Sequence, residues 1–255
     1  MTARRRKPDI EDEPHLTQSH FEPDPSEKAA EQLLSRSSDD LDTQADQSVW
    51  DEPASNRLLS GEPPADALTF SRWLGWRWRT SGAGRSWLLT LLVVLGAGPW
   101  AIAGALLSHS YGASGFGLLA LCVFGPAAEE LLKISTCLLV VERRPYLFHS
   151  RLQIYLCCVA SGVVFAAIEN VLYLHVGIGT PSDLLVRWRW TICVALHTGC
   201  TFCAAMGVAK AWWESRCELT RPNLSRVMPY LVTAVVIHGV YNAFAATLNA
   251  VGFRF

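Results

Sequence analysis

The sequence predicts an all-α protein, a polytopic transmembrane helical bundle of about five spans behind a disordered N-terminal tail. Three observations carry this. Five stretches hold about 20 mostly apolar residues each, the length a helix needs to cross the hydrocarbon core. The two-residue alternation of a membrane β-strand is absent. Charge divides sharply along the chain: residues 1–70 hold 16 Asp/Glu against 7 Lys/Arg, and residues 71–255 hold 7 against 15, so a net charge of −1 conceals a tail of −9 and a body of +8.

Residues 1–70 are rich in Glu, Asp, Ser, Gln and Pro and poor in β-branched and aromatic residues. Such a segment buries too little apolar surface to offset its ordering entropy, which predicts a disordered, acidic, cytosolic tail. It reads as a solvated spacer, with recruitment of a cytosolic partner as the alternative. Residues 71–86 are basic and Trp-rich and suit a short amphipathic segment at the surface of the lipid bilayer. Acidic sequence follows the basic start where the apolar core of a signal peptide would stand, so the first span is expected to target the protein.

The predicted spans are 87–107, 116–141, 152–176, 188–213 and 230–251, and Pro126 predicts a kink or a split in the second. With the N-terminus cytoplasmic, 11 Lys/Arg flank the cytoplasmic ends against Arg187, Arg189 and Arg254 on the other side, as the positive-inside rule requires. An odd number of spans then leaves the C-terminus outside. The eight cysteines lie in or beside the apolar spans, which predicts buried free thiols rather than a disulfide scaffold.

Against this apolar background stand Glu129 and Glu130 in GPAAEELLK and Glu169 in VVFAAIENVLYL. A charge at the bilayer centre costs roughly 2.5–3.5 kcal/mol on insertion scales, so intramembrane carboxylates mark a functional site. Lys133 lies four and three residues beyond the glutamate pair and shares their helix face. Glu169 shares a face with Phe165 and Tyr173, His197 with Thr201, and His238 with Asn242. A helical rise measured from the cytoplasmic basic boundaries places Glu129, His197 and His238 about 21, 20 and 18 Å deep, and Glu169 about 27 Å deep.

Carboxylates, imidazoles and an amide at one level are the materials of a hydrolytic site. Glu129 or Glu130 would take a proton from water, one histidine would polarise that water or protonate a leaving amine, and the other would join Asn242 in donating to an oxyanion. The structural alternatives are that Lys133 only neutralises a glutamate for insertion and that Glu169, Asn170 and Asn242 are interhelical hydrogen bonders. No cofactor is expected; zinc held by His197, His238 and Glu169 is the alternative, although HExxH is absent. His197, Cys200 and Cys203 wrap only loosely around one helix face, which argues against a metal or redox motif there. A proton or solute path, and a scaffold that binds transmembrane helices without cutting them, are the competing functions.

EELLK (129–133), FAAIEN (165–170), His197 and HGVYN (238–242) resemble, in order, the EExxK element, the FxxxE element, the fourth-span histidine and the HxxxN element of PrsW-type intramembrane proteases, relatives of the type II CAAX prenyl endopeptidases. The resemblance runs over about residues 87–250 and makes 87–255 a PrsW-like transmembrane protease domain. It implies a glutamate-dependent endopeptidase in which Glu129 and Glu130 activate water and Glu169, His197, His238 and Asn242 complete the site, with Lys133, Phe165 and Asn170 in support. It also implies a membrane-anchored protein substrate such as an anti-sigma factor, a bacterial cytoplasmic membrane, and no nucleic-acid partner.

Overall fold

The computed structural model describes residues 38–48, 63, 67–111, 117–177 and 181–251, and no strand occurs among them. Most of the stretch expected to be disordered lies outside the described residues. Within it, Ser38–Asp46 forms a nine-residue helix, α1. The chain divides into two compact units, Met1–Trp76 and Arg77–Phe255. In the first unit the Trp73 indole donates to Asp42 Oδ1 at 3.0 Å. Phe70–Thr80 forms a helix, α2, with Arg77 and Arg79 in its last turn, where cations complement the helix dipole.

The second unit is built from α3 (Ala83–Tyr111), α4 (Gly125–Arg143), α5 (Arg151–Leu172), α6 (Val194–Glu218) and α7 (Met228–Ala250). These match the five predicted spans in order. Four runs, Ala83–Ala103, Arg151–His175, Asp183–Glu218 and Leu224–Ala250, are long and apolar enough to cross a membrane. The α4 run, with Glu129, Glu130 and Lys133 at its middle, is not among the four. α5 packs between α3 and α6, α3 also packs on α4, and α7 closes the bundle against α6 and α4.

The bundle is apolar outside and charged within. Leu95 and Val240 are each 64% exposed, whereas Glu130 and Lys133 are 0% exposed, an arrangement suited to a lipid solvent. At the expected cytoplasmic end, polar caps and aromatic anchors fix the helices. Ser150 and Gln153 form a capping box at the start of α5, and the Trp212 indole donates to Pro145 O at 2.8 Å.

Among the described residues, three π turns interrupt the helices: Ala120–Phe124 ahead of α4, Tyr173–Gly177 after α5, and Arg189–Cys193 ahead of α6. Pro126 therefore does not split the second span. The chain stays helical through Phe124 and Gly125, with the irregularity taken up as one widened turn.

Candidate active site

The helical period of α4 sets Glu130, Lys133, Ile134 and Cys137 on one inward stripe, so the charged pair is buried with the apolar residues on either side of it. Lys133 Nζ lies 2.7 Å from Glu130 Oε1, 3.7 Å from Glu129 Oε2 and 2.9 Å from His197 Nδ1. It also stands 4.1 Å from the centre of the Phe165 ring, a cation–π contact that helps compensate its removal from water.

The partners fix the histidine tautomers. An ammonium has only donors, so His197 Nδ1 accepts from Lys133, and His197 Nε2 carries the proton donated to Glu169 Oε2 at 2.9 Å. His238 Nδ1 donates to Glu130 Oε1 at 2.9 Å, which leaves a lone pair on Nε2, 3.8 Å from Glu129 Oε2. The two imidazoles pack edge to face with centroids 4.8 Å apart. Thr201, one turn past His197, donates to the His197 carbonyl at 2.8 Å and reaches Glu130 Oε2 at 3.4 Å.

Arg189 adds a second cation, with Nη2 3.1 Å from Glu169 Oε2. Three carboxylates then face two cations, and with both imidazoles neutral one negative charge is uncompensated. Glu129 is the least compensated of the three: its Oε2 is buried, makes no hydrogen bond and lies 3.7 Å from the Lys133 ammonium. That oxygen and His238 Nε2 are two acceptors facing each other, an arrangement a shared donor between them would satisfy.

Asn242 behaves differently from the expectation of an oxyanion donor. Pro126 has no N–H, so in the π register, where each N–H bonds the carbonyl five residues back, the Leu121 carbonyl loses its partner. Asn242 Nδ2 supplies one at 3.0 Å. His238 and Asn242, one turn apart on α7, thus fasten the chain on either side of Pro126. Asn170 also sits at the edge of the cluster, donating to the Arg189 carbonyl and accepting from Arg189 Nε, each at 2.9 Å. Cys200 and Cys203 take no part, and all eight cysteines are free.

The groups brought together are Glu129, Glu130, Lys133, Phe165, Glu169, His197 and His238. Arg189 and Thr201 complete them; the sequence placed Thr201 on the His197 face but assigned neither residue to the site. Arg189 had served only as an outer flanking charge, yet its spacing of eight residues before His197 is close to two helical turns and puts both on one face.

Ligand atoms of Glu129, His197 and His238 lie within 4.8 Å of one another, a carboxylate with two imidazoles, which is the donor class of catalytic zinc. Glu129, rather than Glu169, joins the histidines in this group. The hydrogen bonds around His197 do not fit a metal, however. With Lys133 donating to Nδ1, its Nε2 carries a proton and has no lone pair for an ion, so only Glu129 and His238 present free donor atoms.

No curated protein and no solved structure is a match to the chain. Residues 76–254 match the family described as PrsW family intramembrane metalloprotease, and that span takes in all five helices of the bundle and every residue of the buried cluster. The protein belongs to the PrsW family of intramembrane proteases.

Proposed function

We propose that the protein is an endopeptidase that hydrolyses peptide bonds of membrane-anchored proteins with water activated by Glu129. The observation that carries this is Glu129 Oε2, buried without a hydrogen bond and 3.8 Å from His238 Nε2. A water donating to both atoms would be aligned for attack. Glu129 takes its proton as the oxygen adds to the scissile carbonyl, and that proton then passes to the leaving amine as the C–N bond breaks. Glu130 holds His238 in the tautomer that leaves Nε2 open, and Lys133 holds Glu130 in place. Asn242 has a second amide N–H beyond the one given to Leu121, and that is the donor an oxyanion role would use.

The proposal includes substrates of the kind the family resemblance implies, membrane-bound regulators such as anti-sigma factors, and a place in the bacterial cytoplasmic membrane. It is tested by membrane proteomics of cells expressing wild type or the Glu129→Gln/Glu130→Gln double variant. New protein termini near transmembrane segments should appear only with wild type and would reveal the substrate. Identical termini from equally expressed proteins would favour the scaffold or transport function.

Metal dependence has its own test. The hydrogen bonds of His197 support a mechanism without metal, so chelation of the purified protein should leave cleavage intact. Stoichiometric zinc, removed by a chelator together with activity, would overturn this and require His197 to give up Lys133.

A further inference from the structure

We infer that Arg189 is a positioning residue for the candidate active site, acting through Glu169 to hold His197 in the tautomer that receives Lys133. This rests on the protease reading of the cluster and goes beyond it, because none of the family elements read in the sequence contains Arg189.

Arg189 is fastened by Asn170 and Tyr173, and its Nη2, buried without a hydrogen bond, meets Glu169 as an ion pair. Its Nε donates to Asn170 Oδ1 at 2.9 Å, and its own carbonyl accepts from Asn170 Nδ2 at 2.9 Å, so a single asparagine grips both side chain and backbone. The guanidinium lies 4.1 Å from the centre of the Tyr173 ring, and its side chain is 12% exposed. Asn170 follows Glu169 on α5, and Tyr173, one turn after Glu169, begins the π turn that continues the helix. The same stretch therefore supplies the glutamate and the two side chains that aim the arginine at it.

The widened turn at Arg189–Cys193 begins at this residue. Such turns rearrange the local bonding of a helix and are frequent at functional sites.

The consequence runs inward. Glu169 Oε2 is shared by Arg189 Nη2 at 3.1 Å and His197 Nε2 at 2.9 Å. A carboxylate anchored by Arg189 accepts from Nε2 and so keeps the proton on that nitrogen. Nδ1 is then the acceptor that Lys133 needs, and Lys133 in turn holds Glu130 and, through it, His238. Arg189 thus lies at the outer end of one connected chain of charged and hydrogen-bonded groups that ends at Glu129. Lysine could not replace it, because only the planar guanidinium can bond Asn170, pair with Glu169 and stack on Tyr173 together.

The test uses the full-length protein in lipid nanodiscs with 15N-labelled histidine, the His197 signals being assigned by their loss in His197→Gln. Wild type should show protonated Nε2 and unprotonated Nδ1. In Arg189→Lys, which keeps the charge and most of the volume, His197 should shift to mixed tautomers. Formation of the Glu129-dependent termini in cells should slow by about 10–100-fold, the range seen when the outer partner of a metal-bound histidine is removed. Arg189→Ala should do the same more severely; if it fails to fold, the lysine variant still decides.

A folded Arg189→Lys protein that keeps the wild-type His197 signals, or that forms the termini at the wild-type rate, would overturn the inference. Persistence of the termini in Glu129→Gln would instead overturn the protease reading, and the nitrogen signals would still decide whether Arg189 positions His197.

Discussion

Adjacent carboxylates on α4 meet opposite circumstances. Glu130 Oε1 receives bonds from Lys133 and His238 at 2.7 and 2.9 Å, whereas Glu129 Oε2 receives none. The two Gln variants should therefore fail in different ways. Glu130→Gln breaks a fully buried ion pair and should cost up to about 3–5 kcal/mol of stability, since the Lys133 charge stays behind. Glu129→Gln should change stability by no more than about 1 kcal/mol while abolishing cleavage. Thermal unfolding in detergent beside the terminus assay checks both. The sequence spacing made the Glu130–Lys133 pair legible, because residues three apart on a helix must meet. It gave no sign of which glutamate would be free, because that depends on how α7 presents His238. Arg189 was hidden for a similar reason: its role exists only once Asn170 and Tyr173 of another helix surround it.

Helix contacts set the site through small residues as much as through polar ones. A methyl group added at Gly239 would run into the Cys122 carbonyl of the π turn, next to His238, so α7 touches the α4 run closely only because this residue has no side chain. Gly239→Ala should push the two helices apart, lengthen the His238–Glu130 bond and reduce cleavage at least tenfold. Gly199, with nothing within 4 Å of an added methyl, is the control. Gly199→Ala should leave activity intact and, inside a helix, stabilise by about 1 kcal/mol or less. The same assays read both variants. Helix order and the approximate ends of all five spans were legible from hydropathy. The π turns were not, since a single widened turn barely changes the apolar period. Glu169, placed about 27 Å deep by its position in the chain, still reaches His197 at 2.9 Å.

At the scale of the whole molecule, the basic flanks argue for a cytoplasmic N-terminus and an outer C-terminus. Alkaline phosphatase fused after Val251 should be active in a bacterial host, and a fusion in the α4–α5 connection around Pro145 inactive; the reverse pattern would invert the proposed topology. Apolar faces, flanking charge and interfacial tryptophans made a multi-helix membrane bundle legible before any coordinates. The convergence on one buried cluster was legible as similar depth for three of its four helices, Glu169 of α5 falling deeper. The weak hydropathy of the α4 run bears on how the chain is made. Emerging alone, α4 would bring Glu129, Glu130 and Lys133 into lipid with only their own ion pairs to offset them, and the groups that bond them from other helices, His197 and His238, are synthesised later on α6 and α7. Stable burial of α4 is therefore expected to await α6 and α7. A nascent chain that loses α7 would leave Glu130 without its bond from His238.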